Sequence, residues 1–242
     1  LKFLLRFNIE INSICFDTKI AHYLINPDIG HDFNVLCETY LNYRTEFNKS
    51  GEIENPIELS MEKSDLNFQL VEYLMNDLMS GKLVDLFKKL EMPLLKVLAQ
   101  MESNGIKINL KFLHDLSVNY TEELSLIEKN IFDLSNEEFN LASPKQLGEV
   151  LFEKLRLIDN PKKTKTGQYS TSEEVLSNLS KEHEIIREVL KWRSLQKLIN
   201  TYVDALPKQI NSESKRIHTV FNQAVASTGR LSSNNPNLQN IP

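Results

Sequence analysis

The 242-residue sequence contains nothing close to the roughly 18 uninterrupted apolar residues that a membrane helix needs, so no membrane span or membrane partner is expected. It has only two cysteines, Cys15 and Cys37, too few for a disulfide framework. It also lacks a charged start followed by an apolar run, which argues against secretion and makes a reducing cytoplasm the expected setting. Cys15, His22, His31 and Cys37 are too widely spaced to offer the close ligand pair of a structural zinc site, so no metal is assigned to them. His114, His183 and His218 have no nucleophile or acid placed beside them and are read as surface or core residues. A starting Met is missing, and the sequence stops at Asn240-Ile241-Pro242 without a trailing helix or polar tail. The expectation is an internal piece of a longer chain.

The composition, 41% hydrophobic and 25% charged, is that of a globular protein large enough for one or two cores, and it excludes a disordered chain. A net charge of −5 hides an asymmetry. Residues 1–140 carry 13 Lys/Arg against 23 Asp/Glu, whereas residues 141–242 carry 15 against 10. Of the two portions, only the second suits a polyanion.

Residues 8–16 alternate and then turn apolar, as a strand does, and lead into Asp17-Thr18 and a helical pattern through Leu24. A second helix is expected from Phe33 to Tyr40, with Val35, Leu36 and Tyr40 at core spacing, then a polar loop from Arg44 to Pro56. Leu66, Leu70, Tyr73, Leu74 and Leu78 recur at helical spacing up to Ser80-Gly81, where Gly81 is expected to supply a left-handed stop. A helix over about Leu83 to Asn104, bent at Pro93, ends at Gly105 before a short strand, Ile106-Lys107-Ile108.

Asn109 is placed to cap a long amphipathic helix carrying Leu113, Leu116, Tyr120, Leu124, Ile127, Ile131 and Leu134. A matching rod spans about Glu182 to Leu206, with Ile186, Val189, Trp192 or Arg193, Gln196, Ile199 and Val203 in its stripe. Two rods separated by about 45 residues of smaller elements suggest an antiparallel pair with a globular tip. In that tip, Ser143-Pro144-Lys145-Gln146 is a helix entry, Pro161 to Gly167 is a basic loop, and Ser170-Thr171-Ser172-Glu173-Glu174 closes it as an N-cap with acids in the first turn. Three lysines and neighbouring hydroxyls suit phosphate contact. Composition alone fits a solvated tip equally well.

The final stretch, Gln223 to Pro242, holds one charge in twenty residues. Amides and hydroxyls around a lone Arg are the inventory for hydrogen bonding to base edges and sugars, although an Asn-rich turn satisfying its own backbone has the same composition. Ser227-Thr228-Gly229-Arg230-Leu231-Ser232-Ser233 followed by Asn237-Leu238-Gln239-Asn240-Ile241-Pro242 resembles the thumb-to-palm signature of family A DNA polymerases, the bacterial DNA polymerase I type. The resemblance extends upstream through Glu91-Met92-Pro93-Leu94, Asn104-Gly105-Ile106-Lys107-Ile108, Phe139-Asn140-Leu141, Ser143 to Leu147, Leu151 to Lys154, Lys162-Lys163-Thr164 and Ser170 to Leu176. Phe16-Asp17-Thr18, Tyr23 to Pro27 and the helix after His31 resemble the later half of the 3′→5′ exonuclease domain that precedes the polymerase domain.

The fold implied is an α/β remnant of an exonuclease-like domain over residues 1–82, then a mostly α-helical thumb with a short β segment near Lys215 to Phe221, together spanning residues 83–242. The implied partner is primer–template DNA. Arg230, with Thr228 beside it, would reach the minor groove, while Asn237, Gln239 and Asn240 would help hold the template strand. Minor-groove acceptors occur on every correct pair, so an Arg there senses pairing without reading sequence. Lys145, Gln146, Lys162, Lys163 and Lys165 would track the duplex backbone.

Nucleotide transfer in the family uses Mg2+ held by palm carboxylates that would lie beyond Pro242. The implication is an enzyme, a DNA-directed DNA polymerase acting in replication and repair, of which this stretch alone is inert; deoxynucleoside triphosphates belong to the whole protein, a bacterial, nucleoid-associated monomer. The third exonuclease motif would fall at Leu59 and Lys63, and a lysine cannot ligate a metal at neutral pH. Tyr73 and Asp77 fit the bare pattern but lie too close to Glu91, and Tyr73 belongs to the apolar stripe. A second reading, from another class, is a non-catalytic helical DNA-binding or protein-interaction module derived from a polymerase.

Overall fold

Asp17 starts a helix as its N-cap: its carboxylate accepts the Ile20 N–H at 2.9 Å, satisfying a donor that has no partner inside the helix. The computed structural model describes residues 2–5, 7, 9, 16–45 and 56–242. The strand expected over 8–16 falls, apart from Ile9 and Phe16, outside the described residues, as does most of the loop expected before Pro56. What is described of residues 1–82 is helical: α1 (Lys2–Leu5), α2 (Thr18–Ile25), α3 (Phe33–Leu41) and α4 (Pro56–Ser80).

Further on come α5 (Val84–Leu86), α6 (Met92–Asn104), α7 (Leu110–Ser135), α8 (Pro144–Glu149), α9 (Glu173–Leu179) and α10 (Glu184–Leu198). The strands β1 (Val220–Asn222) and β2 (Ser232–Asn234) pair antiparallel, with Phe221 opposite Ser233. None of the described helices is long and apolar enough to cross a membrane.

The chain forms two compact units. The first comprises residues 1–107 and 211–242, and the second residues 108–210. In the first, α2 and α3 pack on α4, burying Ile20, Ala21, Leu36, Cys37, Leu66, Leu70, Leu74 and Leu78 together with Phe87 and Met92. The expected stripe on α4 holds except at Tyr73, which is 49% exposed and touches only Tyr40 of the neighbouring rings, at 6.5 Å. The left-handed residue after α4 is Lys82 (φ 58) rather than Gly81, because the reversal comes one residue later than the glycine suggests.

At Pro93, where a bend is expected, the helix changes its hydrogen-bond pattern. Lacking an N–H, the proline cannot bond the preceding turn, and Phe87–Glu91 opens into a π-turn in which the Met92 N–H reaches the Phe87 carbonyl. Gly105 (φ 62) ends α6 as expected, but the strand expected at 106–108 is reduced to one antiparallel bridge, Ile106 with Ile217. Lys215, expected in a strand, sits in a turn (φ 56) closed by Asn211, whose side-chain Oδ1 accepts the Glu213 and Ser214 N–H groups and whose backbone carbonyl accepts the Lys215 N–H.

In the second unit, the Asn109 side chain caps α7 through the Phe112 N–H, and α7 packs on α10. Ser117, early in α7, bonds Asp204, beyond the end of α10, at 2.7 Å. Ile131, late in α7, shares a core with Ile185 and Ile186 at the start of α10. The two rods are therefore antiparallel. Leu134, expected in the stripe, is 37% exposed, and Ser135 takes the buried position at the end of the helix.

Two histidines form a buried polar pair in the first unit. His22 Nδ1 and His31 Nδ1 lie 3.0 Å apart, both rings buried, and the Tyr40 ring stands edge-on to His22 at 5.8 Å. Only one of two facing nitrogens can carry a proton. A proton on His22 Nδ1 leaves its buried, unpartnered Nε2 with a lone pair instead of an orphaned N–H, the less costly arrangement. Burial, then the partner imidazole, lowers the His22 pKa despite the Asp77 carboxylate nearby; burial and Lys19 lower that of His31, despite Asp32. Burial and the Asp77 hydrogen bond push the Tyr40 phenol up to about 12. With both folded pKa values below the ordinary 6.5, the unfolded chain binds more protons as pH falls through that value, so stability drops toward acid. Urea midpoints measured between pH 7.5 and 5.5 should decline, and His31→Gln should show a shallower decline; equal slopes would remove the pair as the cause.

Candidate nucleic-acid interface

The β1–β2 hairpin is fixed to α6 through one carboxylate. Glu102 occupies the apolar face of α6, in step with Met92, Leu98 and Ala99, and is itself buried. Its Oε1 accepts the Phe221 N–H at 2.7 Å, and its backbone carbonyl faces His218 Nδ1 at 2.7 Å. Gly105 permits this close approach: a Cβ there would lie 2.7 Å from the His218 ring and 2.8 Å from the Ile217 carbonyl. Ile106 and Ile217 exchange both backbone hydrogen bonds, at 2.8 and 2.9 Å.

Beyond β1, Gln223 is buried and donates to the Glu91 carbonyl (3.1 Å) and carboxylate (2.7 Å). Three residues on, the Ala226 carbonyl accepts the Gly229 N–H at 3.1 Å, closing a turn with Ser227 and Thr228 at its corner and Gly229 at φ +77. Arg230 follows directly. It is exposed, and among the described residues it makes no hydrogen bond or ion pair. β2 then brings the chain back beside β1.

The Asn-rich segment after β2 is organised by hydroxyls. Thr219 Oγ1 and Ser233 Oγ are 2.8 Å apart and buried; Thr219 also meets the Asn234 and Pro236 carbonyls, and Ser233 accepts the Leu238 N–H at 3.1 Å. Asn237 and Gln239 turn inward. The Asn237 Oδ1 accepts the Gln239 N–H at 3.0 Å, and the Gln239 amide nitrogen donates to the Leu231 carbonyl at 2.6 Å, buttressing the strand that follows Arg230. Thr228 and Asn240 are exposed.

In the second unit the basic loop is a small hairpin. Ser170 N–H bonds the Lys162 carbonyl, Lys163 pairs with Tyr169, and Thr164 N–H bonds the Gln168 carbonyl at 2.7 Å. Gly167 (φ 82) turns the tip. Lys162 and Lys165 are exposed, and Lys163 lies over the Tyr169 ring at 4.9 Å, a cation–π contact. Arg193 of α10, its pKa lowered by burial, anchors the loop's exit through the Thr171 carbonyl and hydroxyl. Ser172 caps α9, with Glu173 and Glu174 in its first turn.

Ser143 caps α8, where Lys145 is exposed and 3.9 Å from Glu149, while Gln146 accepts the Asn140 N–H at 2.7 Å. A groove of about 660 Å³ runs beside this hairpin, lined by Thr164, Ser170, Ser172, Arg193, Lys197 and Asn200 among others.

The candidate residues thus fall into two sets. Thr228, Arg230, Asn237, Gln239 and Asn240 share the first unit; Lys145, Gln146, Lys162, Lys163 and Lys165 share the second. The supporting role of Tyr23, Glu91, Glu102, Thr219 and Gln223 escaped the sequence reading, although Tyr23, Glu91 and Gln223 lie in stretches it singled out. Only Glu102 carries a signal, an acid placed in register with the apolar face of its helix.

The family model for DNA polymerase family A matches residues 110–242. The chain is 43% identical to DNA polymerase I of Synechocystis sp. and 40% identical to that of Geobacillus stearothermophilus. Each alignment takes in 97% of the chain but only 25% and 28% of the relative, so the chain spans about a quarter of the length of these curated relatives. A solved structure of the polymerase domain of Pol1 from M. smegmatis, in complex with DNA primer-template and dNTP, superposes over 99% of this chain and 40% of its own, with a TM-score of 0.83 and 31% identity. The fold and the hairpin signature are those of a DNA polymerase's polymerase domain, and the chain belongs to DNA polymerase family A.

The buried Ser233 hydroxyl takes part in three of the segment's hydrogen bonds, so Ser233→Ala should cost about 1–3 kcal/mol by leaving the half-buried Leu238 N–H unpaired. An unchanged urea midpoint would show that the hydroxyl network does not hold the segment.

Proposed function

We propose that this chain is part of a DNA-directed DNA polymerase and grips primer–template duplex at two places. Arg230 donates to minor-groove acceptors near the primer end, with Thr228 beside it and Asn240 toward the template strand. Lys145, Lys162, Lys163 and Lys165 neutralise backbone phosphates, with Gln146 beside them, from the thumb, residues 83–210. The observation that carries the reading is Arg230 itself: an exposed guanidinium without an internal partner among the described residues, on a segment held before it at Gln223 and after it at Leu231. A cation with rigid support and no structural employment suits a contact with a ligand.

Asn237 and Gln239 serve this reading chiefly as supports, because their side chains already bond the segment's own backbone, although the Gln239 carbonyl and Asn237 amide nitrogen remain available in principle to a strand. The reading extends to a nucleoid-associated monomer acting in replication or repair; the bacterial relatives, named DNA polymerase I, support the replication or repair part of it.

Transfer of a nucleotide in this family depends on divalent metal, taken here as Mg2+. Among the described residues no three His, Cys, Asp or Glu side chains converge. These residues do not fit the ion, so no catalytic step is assigned to them.

Residues 1–82 are proposed as the later part of a 3′→5′ exonuclease-like domain, with 83–242 opening the polymerase domain. Lys63 stands exposed on α4 where the resemblance calls for an acid, and Asp77 is turned to Tyr40 and His22. The intact protein should therefore leave a mispaired primer terminus undegraded when nucleotides are withheld; shortening of that primer would overturn the reading.

Arg230→Ala should weaken primer–template binding by about 1–3 kcal/mol with little sequence preference, as measured by fluorescence anisotropy. Binding by the unmodified protein should itself weaken by orders of magnitude between about 50 and 200 mM salt if several phosphates are contacted. An unchanged Kd for Arg230→Ala removes Arg230 from the interface, and salt-insensitive binding removes the lysines.

A further inference from the structure

Tyr23 of α2 donates its hydroxyl to the Ala226 carbonyl at 2.7 Å, across 203 positions of sequence. The ring is 4% exposed and stands edge-on to His31 at 5.5 Å, so the hydroxyl is delivered by a side chain with no freedom to follow a moving loop. The acceptor is the carbonyl that closes the turn before Arg230 by accepting the Gly229 N–H. Ser227, Thr228, Gly229 and Arg230 are all exposed, so this turn has no core of its own.

One turn hydrogen bond contributes only about 0.5–1.5 kcal/mol and cannot by itself keep an exposed corner in one conformation. The segment is held at three points: Gln223 by Glu91, Ala226 by Tyr23, and Leu231 by Gln239. Two of these lie before Arg230 and one after it. Of the two before it, the one nearer to Arg230 comes from α2.

We propose that Tyr23 is a positioning residue for Arg230. Its hydroxyl fixes the Ala226–Gly229 turn so that the guanidinium is presented to the duplex in one arrangement, and α2 thereby acts as a buttress for DNA binding. The proposal rests on the reading of Arg230 as a minor-groove contact. Its physical content is preorganisation: a contact made by an ordered side chain does not lose the conformational entropy that a mobile turn would lose on binding. It also gives the N-terminal helices a task that needs none of the acids of proofreading.

The test is a double-mutant cycle in the intact protein. Tyr23→Phe keeps the ring and its packing on His31 and removes one hydroxyl, and the Ala226 carbonyl retains the Gly229 N–H. Primer–template Kd is measured for the parent, Tyr23→Phe, Arg230→Ala and the double variant, and hydrogen exchange is followed at the Gly229 amide. Tyr23→Phe is expected to raise Kd about two- to tenfold without altering the salt slope, and to accelerate Gly229 exchange by a similar factor. Added to Arg230→Ala, it should raise Kd no further. If Arg230→Ala binds as tightly as the parent, the Arg230 contact is overturned and this role with it. If Arg230→Ala weakens binding while Tyr23→Phe changes neither Kd nor exchange, or adds in full to Arg230→Ala, the positioning role alone is overturned.

Discussion

Ile106 and Ile217 exchange both of their backbone hydrogen bonds, joining positions 111 residues apart within the first unit. Everything between them that belongs to the second unit leaves and returns through this pairing. The bridge alone is weak, since two hydrogen bonds contribute roughly 1–3 kcal/mol against the entropy of closing so long a loop. It persists because Glu102 and Gly105 reinforce it from one side: the carboxylate takes the Phe221 N–H, and the glycine lets His218 and the Ile217 carbonyl come within contact of the backbone. With that junction formed, β1 has a fixed start, β2 has something to pair with, and the loop between them has fixed ends.

The polar chemistry of the molecule sorts by whether a group has internal work. Glu102, Gln223, Thr219, Ser233 and Gln239 all spend donors or acceptors on backbone groups, which is how a segment with little regular structure keeps its N–H and C=O groups satisfied. Arg230 and the exposed Lys162 and Lys165 lie outside that network. A stretch rich in amides and hydroxyls thus divides into scaffold and contact only once its hydrogen bonds are known, because composition cannot distinguish an Asn that caps a turn from one that faces a strand of DNA.

Much of the helical framework was legible in sequence because its signals are local. Asn109, Ser143 and Ser172 open helices where expected, a helix follows Asp17-Thr18 as its pattern implied, and the spacing of Leu66, Leu70, Leu74 and Leu78 gives the buried face of α4. The departures have equally local causes. Tyr73 fits the stripe by spacing but leans out beside Tyr40, an amphipathic ring being tolerated at a half-exposed position. Lys82 rather than Gly81 takes the left-handed conformation, and a proline expected to bend its helix produces a π-turn. The three-residue strand at Ile106 shrank to a bridge because its partner, Ile217, lies far along the chain, and no local pattern reveals how long such a pairing will be.

The candidate interface was legible in a different way. Arg230 and the lysines stand out by residue type and by resemblance, but the groups that hold the segment around Arg230 do not, because Tyr23 and Glu102 reach backbone atoms, and Glu91 a glutamine amide, across more than one hundred residues. A contact residue announces itself by the chemistry it offers a ligand. A support residue offers a carbonyl or an amide what any tyrosine, glutamate or glutamine could, and only the three-dimensional path of the chain decides which one is in reach. At the turn before Arg230, a side chain from near the start of the sequence meets a loop near its end: the Tyr23 hydroxyl holds the Ala226 carbonyl of a corner whose residues, Ser227 to Arg230, are all exposed and supply no core of their own.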